Sequence, residues 1–182
     1  VITINYLNYT SIVRKYFFKI LLFILFVFSG PIKSSDLNIY SLGYFDFYQN
    51  GESDALDMRI DKRLNKSILD FGPKESPLYV LKPFYGIEAT SDGALYGLGG
   101  IYIEEKIGSN FYITPNIGAG LYSNGDGKDL GYAFQFRSTL ELSYELNSKR
   151  RIGLSYGHIS NANIGSTNPG VEVLSLSYQI PF

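Results

Sequence analysis

His158, Ser160 and Glu172 are a base, a nucleophile and a carboxylate set close together near the end of the chain. His158 is the only histidine. On an extended strand, residues two apart share one face, with Cα atoms about 7 Å from each other. In that arrangement Ser160 would attack an acyl carbonyl and His158 would take its proton. Glu172 would orient the imidazole and stabilise its charged form. Asn161 is a candidate donor to the oxyanion, a role that side-chain amides and backbone N–H groups both fill. A plainer reading stands beside this one: three polar residues on the rim of a sheet. A single His-x-Ser pair is a weak motif by itself.

The elements that would carry these residues are strands. Beyond residue 36 there is almost no helical periodicity, and period-two alternation dominates. In residues 130–146, Leu130, Tyr132, Phe134, Phe136, Leu140, Leu142 and Tyr144 share one face. Gly131, Ala133, Gln135, Arg137, Thr139, Glu141 and Glu145 share the other. Strands are predicted over 37–49, 54–64, 78–90, 94–106, 110–122, 129–146, 149–160 and 171–182. Asn50-Gly51, Asp92-Gly93, the segment 108–110, the segment 124–127 and Asn147-Ser148 supply the turns. The longer link over 65–77 is expected to hold a helical turn or an irregular loop.

The charged face decides what kind of sheet this is. Asp57, Arg59, Asp61 and Arg63 alternate with Leu56, Met58, Ile60 and Leu64. Such a face is either solvated or a ladder of ion pairs inside a barrel. Arg137 and Glu141 favour the barrel, because a sandwich core rejects unpaired charges. Closure also satisfies the backbone in lipid, which an open sheet cannot do. The expectation is an all-β fold: an eight-stranded antiparallel up-and-down transmembrane β-barrel over 36–182.

Face parity then orients the candidate site. Ile152, Leu154 and Tyr156 must face lipid, and the same row continues to His158 and Ser160. Leu174, Leu176, Tyr178, Ile180 and Phe182 form the lipid-facing row of the last strand, which runs back to Glu172. All three polar residues are thus expected on the outside of the barrel, at the loop end of adjacent strands. An ionisable group on that face is costly, and least so near the interface.

Composition narrows the class further. Arg14, Lys15 and Lys19 precede an apolar run from Ile20 to Phe28, which Ser29-Gly30-Pro31 ends. That pattern reads as a secretory signal peptide over 1–35, with cleavage near Ser34 or Ser35. The run is far short of the roughly 20 residues that a spanning helix needs. Val1 stands first and the only methionine is Met58, so either an unusual start codon or a fragment of a longer chain is expected, with a non-native extension in the first dozen residues as part of that expectation. Removing 1–35 removes four of the 16 basic residues and no acid, leaving 12 basic against 17 acidic. That balance excludes nucleic acid as a partner. With no cysteine there is neither a disulfide framework nor a thiolate metal site. High Tyr and Phe content suits a lipid-facing wall.

Two motifs are set aside. Gly97-Leu98-Gly99-Gly100 lacks the lysine and helix of a phosphate loop, so small residues inside or at bends of a narrow barrel explain it better. The segment from Asn124 to Asp129 has part of a calcium-loop pattern but no terminal Glu, and is read as an exposed hairpin loop.

The run from Gly157 through His158, Ser160 and Asn161 to Ala162, followed by Asn168-Pro169-Gly170 and Glu172, resembles the signature of the outer-membrane lipid A 3-O-deacylase family. The likeness extends weakly over the rest of the mature chain, including Asp57 to Asp61. It implies an eight-stranded barrel in the bacterial outer membrane, with the site on its outer surface. It implies an esterase that takes the 3-O-linked acyl chain from lipid A of lipopolysaccharide, without cofactor or metal. By motif the triad falls on His158, Ser160 and Glu172, and the oxyanion asparagine on Asn161. A second oxyanion donor, a backbone N–H, falls on Asn163, where the family pattern has Gly. Asn also enters left-handed backbone conformations. Whether the barrel pairs with a second copy is left open. A non-enzymatic barrel, adhesin or structural, is the alternative from another class. A periplasmic lipid carrier fits poorly with the lipid-facing alternation and the terminal Phe182.

Overall fold

A computed structural model describes residues 36–48, 54–70, 72 and 80–182. The predicted signal peptide and the Asn50-Gly51 turn lie outside the described residues. The described chain forms β1 (Leu37–Phe45), β2 (Ala55–Arg63), β3 (Leu69–Asp70), β4 (Val80–Thr90), β5 (Leu95–Tyr102), β6 (Glu105–Ile107), β7 (Phe111–Ser123), β8 (Phe134–Glu145), β9 (Arg151–Ser160) and β10 (Val171–Pro181). Eight of these close into an antiparallel barrel in the order β2-β1-β10-β9-β8-β7-β5-β4, and β4 pairs back onto β2. Closure leaves no open edge, so the barrel backbone is paired within the sheet. The short β3 pairs with β4 in the link where a helical turn or irregular loop was expected.

The predicted 94–106 strand is two strands. β5 ends at Tyr102, and β6 resumes at Glu105 against the same partner, β7. Pro115 on β7 stands opposite the gap and has no N–H to give to a ladder. The predicted 129–146 strand is also shorter. It begins at Phe134, because Gly131 takes a φ of 76° and accepts no strand geometry. Its N–H is held instead by Asp129 Oδ1 at 2.8 Å. Leu130 consequently turns inward and is buried, rather than joining the lipid-facing row.

The lumen carries the charges, as the alternation predicted. Asp57, Arg59, Asp61 and Arg63 are all buried, while Leu56 and Met58 are exposed. Arg137 sits between Asp61 (3.2 Å) and Glu88 (2.9 Å), and Arg59 Nε reaches Asp61 at 3.1 Å. Arg63 bonds Glu141 at 2.6 Å, and Gln179 donates to the same carboxylate oxygen at 2.9 Å. Arg137 and Arg63 thus answer carboxylates from other strands, and Arg59 answers one on its own strand; pairing is the condition for keeping such charges ionised away from water.

Toward one end the lumen becomes apolar. Phe45, Tyr96, Tyr122, Leu130, Ile159, Val171 and Val173 pack together there. Phe45 and Tyr122 stack with centroids 6.5 Å apart. Gly100 and Gly118 face inward and clear room for the Phe84 ring, whereas Gly97 faces open space. Only part of the glycine cluster is thus explained by a narrow interior.

Outside, rows of apolar side chains cross the strands in register. Leu142, Leu154, Leu176, Leu42 and Met58 form one such row across β8, β9, β10, β1 and β2. Tyr144, Tyr178 and Tyr40 stand two residues further toward the Asp36 and Phe182 end. Tyr156 and Tyr44 mark the opposite side of the Leu row. Tyrosines flanking an apolar band are the girdles of a barrel seated in lipid. Among the described residues no helix is long and apolar enough to cross a membrane, so any crossing is made by strands.

Candidate active site

His158 and Glu172 are direct cross-strand partners on β9 and β10. Paired residues on one face of an antiparallel ladder bring their Cβ atoms to about 5 Å. His158 Nδ1 lies 3.1 Å from Glu172 Oε1. The imidazole side chain is 44% exposed and the carboxylate 24% exposed, so the pair opens to the outer wall. Tyr156 and Leu174 sit directly beneath it and begin the apolar band. The pair therefore stands at the upper margin of that band, where an ionisable group costs least. The outward parity expected from the sequence is what the strands adopt.

With Nδ1 held by Glu172, Nε2 is the nitrogen free to act as a base. Its direction is set by Gly170. A Cβ placed on Gly170 would stand 3.0 Å from His158 Cε1 and 3.6 Å from Nε2. The edge of the ring thus lies against Gly170, where any side chain would crowd it. Gly170 also has a φ of 64°, a conformation that other residues rarely take. Ser160 follows His158 on the same face of β9, opposite Phe136 of β8. Its hydroxyl makes no hydrogen bond among the described residues. The structure therefore joins His158 to Glu172 and sets Ser160 on their face, without a direct Ser160–His158 bond.

Asn161 departs from the sequence-based expectation. The parity that turns Ser160 outward turns Asn161 inward, where it is fully buried. Its amide donates to Leu130 O at 2.8 Å and to Thr167 O at 2.6 Å. An Asn side chain has two N–H donors, and both are thus committed to loop carbonyls. The side chain thus anchors two loops to the end of β9. Its backbone N–H is also engaged, by Asn168 Oδ1 at 3.0 Å.

Asn163 has a different environment. Residues 161–164 form a tight turn in which Ala162 and Asn163 have φ values of 53° and 62°. Ile164 N–H closes it onto Asn161 O at 3.0 Å. Two successive positive φ values define a type I′ turn. Asn168 Nδ2 braces it by donating to Asn163 Oδ1 at 3.2 Å. The Asn163 N–H donates to no acceptor among the described residues, so it remains available at the loop end of β9.

Aromatic side chains flank the row. Phe134 and Phe136 meet edge to face at 5.3 Å on the β8 side. On the other side Phe47, from the turn after β1, meets Tyr156 at 6.0 Å. Asp46 N–H donates to Glu172 O at 2.8 Å and ties that turn to the site. Phe47 falls within the predicted 37–49 strand, but β1 ends at Phe45 and Phe47 reaches Tyr156 from the turn that follows.

Comparison with known proteins decides the family. The profile of the lipid A 3-O-deacylase (PagL) family matches residues 73–181. The chain belongs to the lipid A 3-O-deacylase (PagL) family. Lipid A deacylase PagL of Bordetella bronchiseptica (strain ATCC BAA-588 / NCTC 13252 / RB50) is 42% identical over 77 residues, which are 41% of this chain and 43% of that protein. That match spans less than half the length of the relative. A crystal structure described as that of the outer membrane enzyme PagL aligns with a TM-score of 0.58 at 19% identity, covering 80% of this chain and 99% of the other. At that identity the likeness speaks for the fold. Barrel, lipid-facing wall and PagL family membership agree on an outer-membrane location.

Proposed function

We propose that this protein is an esterase that removes the 3-O-linked acyl chain of lipid A, using Ser160, His158 and Glu172 on the outer wall of its barrel. The observation that carries the reading is the 3.1 Å His158–Glu172 bond on a lipid-facing surface, with Ser160 on the same face. An ionisable pair in that place is unfavourable for a merely structural barrel. A substrate that is itself a lipid reaches it sideways from the outer leaflet.

The proposed reaction gives each residue one role. Ser160 Oγ attacks the ester carbonyl while His158 Nε2 takes its proton. Glu172 holds Nδ1–H and stabilises the imidazolium. The oxyanion forms toward the loop end of β9, where the Asn163 N–H points without an internal acceptor. Collapse breaks the bond to the sugar oxygen, which receives the proton from His158. Water, deprotonated by His158, then attacks the acyl-Ser160 ester and releases the fatty acid. The missing Ser160–His158 bond is compatible with this scheme, since catalytic hydrogen bonds in ligand-free sites are often long and tighten with substrate. Asn161 serves by holding the turn that presents Asn163.

Ser160→Ala is the direct test. Lipid A extracted from cells carrying the wild type should lose the mass of one acyl chain, and lipid A from cells carrying the variant should not. Equal deacylation by the variant would remove Ser160 from the role. A folded wild type that leaves lipid A intact would favour the non-enzymatic barrel.

A further inference from the structure

We propose that the loop joining β7 to β8 holds a saccharide subsite that seats the sugar headgroup of the substrate; the inference rests on the deacylase reading and names the part of the substrate that this second site takes. A cavity of about 350 Å³ lies at the loop end of the barrel, lined by Tyr122, Ser123, Asn124, Asp129, Tyr132 and their glycine and alanine neighbours. Small-ligand clefts begin at roughly that size. Tyr132 is 49% exposed and offers a ring face. The side chains of Ser123, Asn124 and Tyr132 make no hydrogen bonds among the described residues. Asp129 uses only one carboxylate oxygen internally, on the Gly131 N–H.

The lining chooses the ligand class. A hydroxyl, an amide and a carboxylate beside an aromatic face can exchange hydrogen bonds with several hydroxyl groups at once. Acyl chains find no apolar walls comparable to the lipid-facing rows. Phosphate is disfavoured, because the one charge in the lining is the negative Asp129. A polyhydroxylated ring is what remains.

The placement ties this cavity to the candidate active site. Asn161, the residue after Ser160, bonds Leu130 O and Thr167 O and so clamps the two loops together. A Cβ on Gly165 would stand 2.9 Å from Tyr132 Cβ, so the loop after β9 packs directly on Tyr132. Ala133 precedes by three residues Phe136, the register partner of Ser160, so the cavity adjoins the end of the strand that neighbours the nucleophile. An ester whose acyl chain runs down the apolar wall from Ser160 has its sugar on the side where this cavity opens.

The test compares two substrates in detergent micelles: lipid A, and a p-nitrophenyl ester of the same acyl chain, which has no sugar. Tyr132→Ala and Asp129→Asn are assayed beside the wild type, with barrel folding checked by heat-modifiable gel mobility. Asp129→Asn keeps an oxygen for the Gly131 N–H, so it carries the test if Tyr132→Ala does not fold. The expected result is a KM for lipid A raised about tenfold, with kcat and the p-nitrophenyl ester KM unchanged. An unchanged KM for lipid A, or an equal rise for both substrates, overturns the subsite alone. A folded wild type inactive on lipid A overturns the deacylase reading and the subsite with it.

Discussion

A glycine is the residue on which the imidazole depends. Gly170 offers no side chain at the one place where a Cβ would stand 3.0 Å from His158. Asn tolerates a positive φ, so Gly170→Asn isolates the lost space from the backbone strain. A misplacement of about 1 Å can cost on the order of 100-fold in rate. The variant should fold with an unchanged melting temperature in detergent, lose roughly that factor in kcat, and show an altered His158 imidazole NMR signal. A variant with full activity, or one that loses activity only by unfolding, would show that Gly170 does not position the ring.

At the scale of elements, the turn after β9 is held together by side chains. Asn161 caps two loop carbonyls from inside, and Asn168 braces the turn from outside. Replacing Asn161 by Ala takes the amide donor from Thr167 O and leaves Leu130 O only the 3.4 Å bond from Gln135 Nε2, and a buried carbonyl left without a partner costs about 1–3 kcal/mol. The expected outcome is faster amide hydrogen exchange across 161–170 together with lost deacylation, while the strands keep their protection. An Asn161 that acted only on the oxyanion would lower activity and leave exchange unchanged. The same turn explains why Ala162 sits at a φ of 53°: the type I′ geometry is imposed by its hydrogen bonds and not by the residue's own preference.

For the whole molecule, stability rests on charges matched across the lumen. Arg137 answers both Asp61 and Glu88. Arg137→Met would leave Glu88 without its cation and Asp61 with Arg59 alone, and breaking a buried pair from one side costs about 3–5 kcal/mol. Urea unfolding in detergent should show a loss of that order. Replacing Glu88 by Leu in the same chain should recover most of it, because the stranded carboxylate is then gone and Asp61 keeps its 3.1 Å pair with Arg59. If the double variant is no better than the single one, the network is doing more than cancelling its own desolvation.

The sequence alone determined the barrel and the outward direction of the site. Both follow from a period of two, in which one residue's face dictates every other's: Leu154 facing lipid obliges His158 and Ser160 to do the same. The alternation of Asp57, Arg59, Asp61 and Arg63 was legible for that reason as well, although whether the charges met ions or water was not. Tertiary structure decided everything that parity does not carry across a turn. It buried Leu130, split the strand opposite Pro115, brought Phe47 from a loop to Tyr156, and committed the Asn161 amide to carbonyls from two other segments. It also set the imidazole against Gly170. The physical reason is the same in each case. Alternation is a property of neighbours along one strand, whereas a hydrogen-bond partner or an empty slot depends on which distant residues the closed barrel brings alongside.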